Sequence, residues 1–98
     1  MAKLIKDFAI NFTQVPNQVI RDERLSYKAK GLYAHLISKP DNWTFYIDEM
    51  VRSSKDGKSS VQSGLKELEK YGYLRRVKAK DEKGKFAGWD YLIRINPG

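Results

Sequence analysis

The feature that most limits the fold of this chain is a change of hydrophobic period at Tyr71-Gly72. Before it, apolar residues recur at helical spacing, which predicts a core-facing helix over residues 57–71. After it, apolar and polar residues alternate around one polar turn, which predicts a β-hairpin over residues 73–95. Gly72 suits the left-handed position that ends many helices. A helix followed at once by a hairpin restricts the chain to folds that mix α and β structure.

Two further helices precede this pair of elements. Ser26 is a suitable N-cap, and the apolar stripe after it predicts a first helix over residues 26–38. A second helix is expected over residues 46–53. The turn that follows contains a glycine and Asp56, a residue able to cap the next helix.

Three shorter elements are also expected. Residues 8–12 alternate between large apolar and small or polar side chains, which predicts a short strand near the N-terminus. Residues 17–20 follow Pro16 and are expected to form a single helical turn. Residues 43–45 should be briefly extended.

The order of these elements matches one arrangement of secondary structure. Two helices joined by a short glycine-containing turn, the second followed by a hairpin, form a winged helix-turn-helix. The predicted fold class is therefore α+β, with a three-helix core, a C-terminal hairpin wing and a short N-terminal strand. Because 98 residues leave room for one domain, we expect a single domain over residues 1–98. In this fold the second helix of the pair lies in the major groove of DNA.

The excess of positive charge belongs to the C-terminal half. Residues 1–49 carry seven Lys or Arg against six Asp or Glu, whereas residues 50–98 carry twelve against six. A field of this sign concentrates polyanions such as nucleic acid or anionic lipid. A solubilising surface without a partner has the same composition, so charge alone leaves both interpretations open.

The outward face of the third helix carries side chains suited to reading DNA. Gln pairs with adenine, Lys reaches guanine or phosphate, and Ser serves bases or backbone. We therefore expect base contacts from Ser59, Gln62, Ser63 and Lys66. Side chains of the turn, the third helix and the hairpin are expected to hold the DNA backbone: Lys55, Lys58, Ser60, Lys70, Arg75, Arg76, Lys78, Lys83 and Lys85. A solvated helix without a partner would show a similar polar face.

The large aromatic residues of the second half are expected to be structural. Trp43, Trp89 and Tyr91 are predicted to lie in the core, since Trp89 and Tyr91 fall on alternate positions of a strand. Phe86, at the shoulder of the hairpin, is expected to pack on its own sheet, with a contact to DNA sugar or base as the alternative.

Nothing in the sequence suggests catalysis or a bound group. Cysteine is absent and His35 is the sole histidine, so no His and Cys set can hold a metal ion. Gly57-Lys58-Ser59 ends like a phosphate-binding loop, but Arg52 stands where that motif needs glycine. We expect no enzyme, no metal site and no cofactor. Without a bilayer-spanning apolar stretch or a signal peptide, we also expect a cytoplasmic protein with no membrane partner.

Four stretches of the sequence resemble one family of proteins. They are SSKDGKSSVQSGLKEL (residues 53–68), YGYL (71–74), FTQVPN (12–17) and LSYKAKGLY (25–33). They are similar to the N-terminal winged-helix domain of phage and plasmid replication initiators of Gram-positive bacteria, which include replisome organisers and DnaD-like proteins. The resemblance implies binding to double-stranded DNA, often at origin repeats, and a separate C-terminal domain for assembly or host replication proteins.

The first hypothesis is thus a double-stranded DNA-binding domain of a replication initiator. Two alternatives stay open: a winged-helix module that binds another protein, and a small transcriptional regulator. Partners left open besides DNA are a second copy of the chain on DNA and host replication proteins. Since the chain ends just after the hairpin, we expect either an excised domain or a small stand-alone regulator.

Overall fold

The helices and strands follow the predicted order along the chain. The computed structural model describes residues 2–3, 11–40 and 47–95. Within them lie four helices and a two-stranded antiparallel sheet, namely α1 (Asn17–Ile20), α2 (Tyr27–Ile37), α3 (Ile47–Arg52), α4 (Lys58–Lys70), β1 (Leu74–Lys80) and β2 (Phe86–Ile93). This α+β layout is that of a winged helix-turn-helix, with α3 and α4 as the helix pair and the β1–β2 hairpin as the wing.

The predicted N-terminal strand and the predicted extended segment fall mostly outside the described residues. Residues 8–10 of the N-terminal strand lie outside the described residues, and its last two residues, Asn11 and Phe12, are in irregular chain. The extended segment at residues 43–45, with Trp43, also lies outside the described residues.

Helix α2 begins where its capping residue predicts. The Ser26 hydroxyl accepts a hydrogen bond from the Ala29 N–H at 3.1 Å, which satisfies one of the free donors of the first turn. Glu67 of α4 in turn accepts from both the N–H and the hydroxyl of Ser26. The start of α2 is therefore fixed by its own cap and by a side chain 41 residues later in the chain.

Helix α4 starts without a side-chain cap. Gly57 occupies the N-cap position in extended conformation and makes no capping hydrogen bond. The prediction that Asp56 caps this helix is wrong, because the helix begins one residue too late for Asp56 to stand at the N-cap. The Asp56 N–H donates instead to the Ser54 hydroxyl within the turn, at 3.2 Å.

The end of α4 and the turn into β1 form a Schellman motif. Gly72 has φ +82°, and its N–H donates to the Glu69 carbonyl at 3.2 Å. The next N–H, that of Tyr73, reaches back to the Leu68 carbonyl at 2.9 Å. A left-handed residue at this position is favourable for glycine, so the predicted role of Gly72 is confirmed.

The core lies between the helices and the root of the hairpin. Its fully buried members include Val19, Ala29, Tyr33, Met50, Leu68 and Tyr73. The predicted stripe of α4 is buried, and Gly64 on the same face lets α2 approach closely. A Cβ added at Gly64 would lie 3.0 Å from the Leu32 Cδ2 atom. The rings of Tyr33 and Tyr73 meet edge to face, 6.1 Å apart between centroids.

The hairpin contains a β-bulge near its tip. Lys78 lies opposite Trp89 and Lys80 lies opposite Phe86, so one residue of β1 faces the two residues Ala87 and Gly88 of β2. Gly88 has φ +94°, a conformation that only glycine adopts readily.

The prediction that Trp89 belongs to the core is wrong, because the residue is 47% exposed. The core reaches the hairpin at Tyr73, Leu74 and Tyr91, and the strands continue past the helices that cover it. Tyr91 packs against the core as predicted. Phe86 meets Trp89 on its own strand, as predicted, but remains 59% exposed.

Candidate nucleic-acid interface

The outward face of α4 is open to solvent. The four side chains predicted to meet bases are all exposed: Ser59, Gln62, Ser63 and Lys66. Their orientation follows from the burial of Val61, Leu65 and Leu68 on the opposite side of the helix. The structure thus brings together, on one helix face, donors and acceptors that match the edges of base pairs.

A lysine of α2 joins this face. The Lys28 ammonium donates to the Ser63 hydroxyl at 3.0 Å, which adds a cation beside the exposed side of α4. Sequence reasoning missed Lys28, because no spacing pattern links it to a residue 35 positions later. The contact depends on the way α2 crosses α4 at Gly64.

The turn between α3 and α4 and the first turn of α4 present further polar groups. Lys55 and Lys58 are exposed, whereas Ser60 is half-buried. At the other end of the helix Lys70 is exposed and lies 5.3 Å from the centroid of the Tyr71 ring. These side chains flank the outward face of α4 at both ends.

The tip of the wing is shaped by one carboxylate. Asp81 Oδ1 accepts the backbone N–H groups of Lys83 and Lys85, each at 2.9 Å. Gly84 closes the same turn with φ +78°. Asp81 therefore orders the backbone that presents the exposed Lys83 and Lys85 side chains.

The two arginines at the start of β1 lie on opposite faces of the sheet. Arg76 pairs across the strands with Tyr91, and Arg75 pairs with Leu92. Successive strand residues point to opposite faces, so these two side chains cannot hold the same phosphate. Arg76 also forms an ion pair with Glu69 of α4, at 3.1 Å between Nε and Oε1.

The face of the sheet that carries Arg76 also carries Lys78, Lys80, Phe86 and Trp89. The Arg76 guanidinium lies 5.5 Å from the centroid of the Trp89 ring. Sequence reasoning placed Trp89 in the core and did not combine it with these cations. The alternation of apolar and polar residues along the sequence does not indicate the bulge that brings Phe86 onto this face.

Two acidic side chains have a lowered pKa: Asp22 lies in the loop before α2, whereas Glu67 belongs to α4, four residues after Ser63. Arg24 and the Tyr73 hydroxyl hold the pKa of the Asp22 carboxyl well below its usual range. The hydrogen bond from the Ser26 N–H lowers the pKa of Glu67. Among the described residues no group of three or more His, Asp or Glu side chains is placed to hold a metal ion.

The comparison with known protein families agrees with this geometry. A family model described as a helix-turn-helix domain matches residues 23–74, which include α2, α3 and α4 and end at the first residue of β1. No curated protein and no solved structure matches the chain. In the part of the chain that the structure describes, no helix is long and apolar enough to cross a membrane.

Proposed function

Because this chain belongs to the family of helix-turn-helix domains, we propose that it binds double-stranded DNA with α4 in the major groove. The observation that carries the proposal is the exposed polar face of α4, which lies opposite the apolar side chains that α4 buries in the core. An α-helix fits the major groove, where each base pair presents a distinct set of donors and acceptors. The wing would then lie on the flanking backbone or in the minor groove.

Base reading is assigned to the centre of the α4 face. Gln62 can form two hydrogen bonds with adenine, and Lys66 can donate to guanine. Ser59 and Ser63 are short and would serve bases or phosphates close to the helix. Lys28 supports this assignment, because its bond to Ser63 holds a donor beside the same face.

Phosphate binding is assigned to cations that surround that face. They lie in the turn before α4, along α4 and on the wing: Lys55, Lys58, Lys70, Arg75, Arg76, Lys78, Lys83 and Lys85, together with the hydroxyl of Ser60. Since Arg75 and Arg76 lie on opposite faces of the sheet, the two would contact different phosphates. Each phosphate contact releases counterions, so the affinity should fall steeply with salt.

The biological setting that we propose is replication initiation on a phage or plasmid. The support is the resemblance of residues 53–68 and 71–74 to initiator domains. A homodimer on DNA and host replication proteins belong to the same proposal. A transcriptional regulator would use the same surface, so mapping the bound site in the genome separates the two roles.

The test is a titration of the purified domain into a fluorescent duplex at several salt concentrations, alongside a selection from a random library. We expect an enriched motif and a linear fall of log affinity with log salt. Gln62→Ala should alter the selected motif, since it removes a base contact. Lys83→Ala should weaken all duplexes alike and reduce the salt slope by about one.

Gln18→Ala is the matched control, because Gln18 is an exposed glutamine on α1, a helix that has no part in the proposed interface. It should leave both the motif and the slope unchanged. If the wild-type domain binds no duplex at low salt, the proposed function is wrong, and a protein partner becomes the better explanation of the basic surface.

A further inference from the structure

We propose that the wing carries a second binding site, in which Phe86 and Trp89 stack on unpaired bases of single-stranded DNA. This site lies on the hairpin and uses none of the base-reading side chains of α4. It goes beyond duplex binding, since it gives the domain a way to hold DNA whose strands have separated.

The bulge in β2 is the first observation. Residues 86 and 89 are an odd number apart, so in a regular strand their side chains would point to opposite faces. The extra residue at Ala87-Gly88 shifts the register by one, and the ring centroids of Phe86 and Trp89 then lie 5.7 Å apart. Bulges often re-aim a side chain in this way.

Exposure is the second observation. The hairpin extends beyond the core, and Phe86 and Trp89 are 59% and 47% exposed although their rings touch each other edge to face. Contiguous apolar surface that stays open to solvent on a small soluble domain often marks a binding site. Their shape, flat and polarisable, matches the face of a nucleotide base.

The cations around the rings are the third observation. Arg76 lies over the Trp89 ring at 5.5 Å from its centroid. Lys78 and Lys80 are the cross-strand neighbours of Trp89 and Phe86, and both are exposed. A strand of DNA offers a base and a phosphate at every nucleotide, so alternating rings and cations match it in chemistry and in sign.

Single-stranded and double-stranded DNA differ in whether the faces of their bases are free to stack on a protein ring. In a duplex both faces of each base are covered by its neighbours, and a ring can reach them only by forcing a base step apart. An unpaired base has a free face and gives its stacking energy without that cost. The rings therefore select single-stranded DNA.

The experiment compares a short fluorescent oligothymidine with a mixed-sequence duplex of the same length, at one salt concentration. Phe86→Ala and Trp89→Ala should each weaken oligothymidine binding by about fivefold or more and change duplex binding by less than about twofold. Trp89→Phe should retain most of the affinity, because it keeps a ring. Circular dichroism and thermal melting check that each exposed-site variant is folded.

Leu92→Ala is the matched control. Leu92 is 46% exposed on the same strand, but it lies on the opposite face, across from Arg75. Its truncation should leave oligothymidine binding unchanged. The reverse control is Gln62→Ala with Lys66→Ala, which should weaken duplex binding and spare the oligothymidine.

The results test the single-strand site on the wing separately from duplex binding by α4. Loss of oligothymidine binding in Phe86→Ala but not in Leu92→Ala supports the site. Equal losses in those two variants, an equal loss on the duplex, or a wild-type domain that binds duplex but no oligothymidine would overturn it. A domain that binds oligothymidine through the rings and no duplex would keep this site and reject the role of α4.

Discussion

Tyr73 connects three parts of the molecule through one side chain. Its ring packs edge to face against Tyr33 of α2, and its hydroxyl donates to the Asp22 carboxylate at 2.7 Å. Arg24 donates to both oxygens of the same carboxylate. Asp22 thus ties the loop before α2 to the start of the wing, although its own sequence position suggests only a polar turn.

The Asp22 carboxylate should make the stability of the domain depend on pH. Its two donors lower its pKa in the folded state, so its contribution is complete above the unfolded pKa of about 4 and is lost as the pH falls below that value. Asp22→Asn should cost about 1 to 2 kcal/mol at pH 7, a modest value because Arg24 is solvent-exposed. Urea unfolding at pH 7 and pH 3 measures the difference.

Asp90→Asn serves as the control for that substitution, since Asp90 is an exposed carboxylate on β2. It should have little effect at either pH. A penalty for Asp22→Asn that stays the same at pH 3 would mean that the charge of Asp22 does not carry the contribution.

The crossing of α2 and α4 is the contact that sets the position of the proposed reading helix. A side chain at Gly64 would meet Leu32, and its Cβ would also lie 3.6 Å from the Lys28 Cγ atom. Gly64→Val should therefore destabilise the domain by about 1 to 3 kcal/mol through overpacking. Thermal or urea unfolding gives the free energy.

Gly31→Ala is the matched control for this prediction, because Gly31 also lies within a helix but has open space around it. It should stabilise the domain by up to about 1 kcal/mol. Leu32→Ala should partly restore the stability lost in Gly64→Val, since it removes the Leu32 methyl group that the valine would contact. If Gly64→Val leaves the free energy of unfolding unchanged, α2 and α4 can move apart without loss of stability, and the domain does not need their close approach at Gly64.

The elements predicted correctly are those with a local signal. Helix α2 has Ser26 at its start, α4 has Gly72 after its end, and both have apolar stripes that the core uses. The N-terminal turn Asn17–Ile20 follows its proline as expected. These features depend on residues within a few positions of one another, so the sequence alone indicates them.

The features that sequence reasoning missed depend on distant residues or on one irregular residue. The Lys28 to Ser63 bond needs the helix crossing, and the Glu67 contact to Ser26 needs both helices in place. The exposure of Trp89 follows from where the core ends along the hairpin, and its pairing with Phe86 follows from a bulge. The alternation of apolar and polar residues predicted the strand, but it could not predict the exposure of Trp89 or its contact with Phe86.

At the scale of the whole molecule, core and charge occupy different regions. The buried residues lie where α2, α3 and α4 meet the root of the hairpin. Most cations of the C-terminal half are exposed and lie on the turn before α4, on α4 and along the wing. The proposed binding surface therefore spans α4, which the core holds along its inner face, and the wing, which meets the core only at its root.

The shared cap of α2 has a consequence for the order in which the chain folds. Ser26 is a cap for its own helix, yet it is held by Glu67, which lies 41 residues later. The bonds from Ser26 to Glu67 form only when α4 has docked on α2, so we expect the two helices to form together in the folding transition state. We expect Glu67→Ala to slow refolding more than it accelerates unfolding, as stopped-flow kinetics would measure. An effect confined to the unfolding rate would show that α4 docks on α2 only after the folding barrier has been crossed.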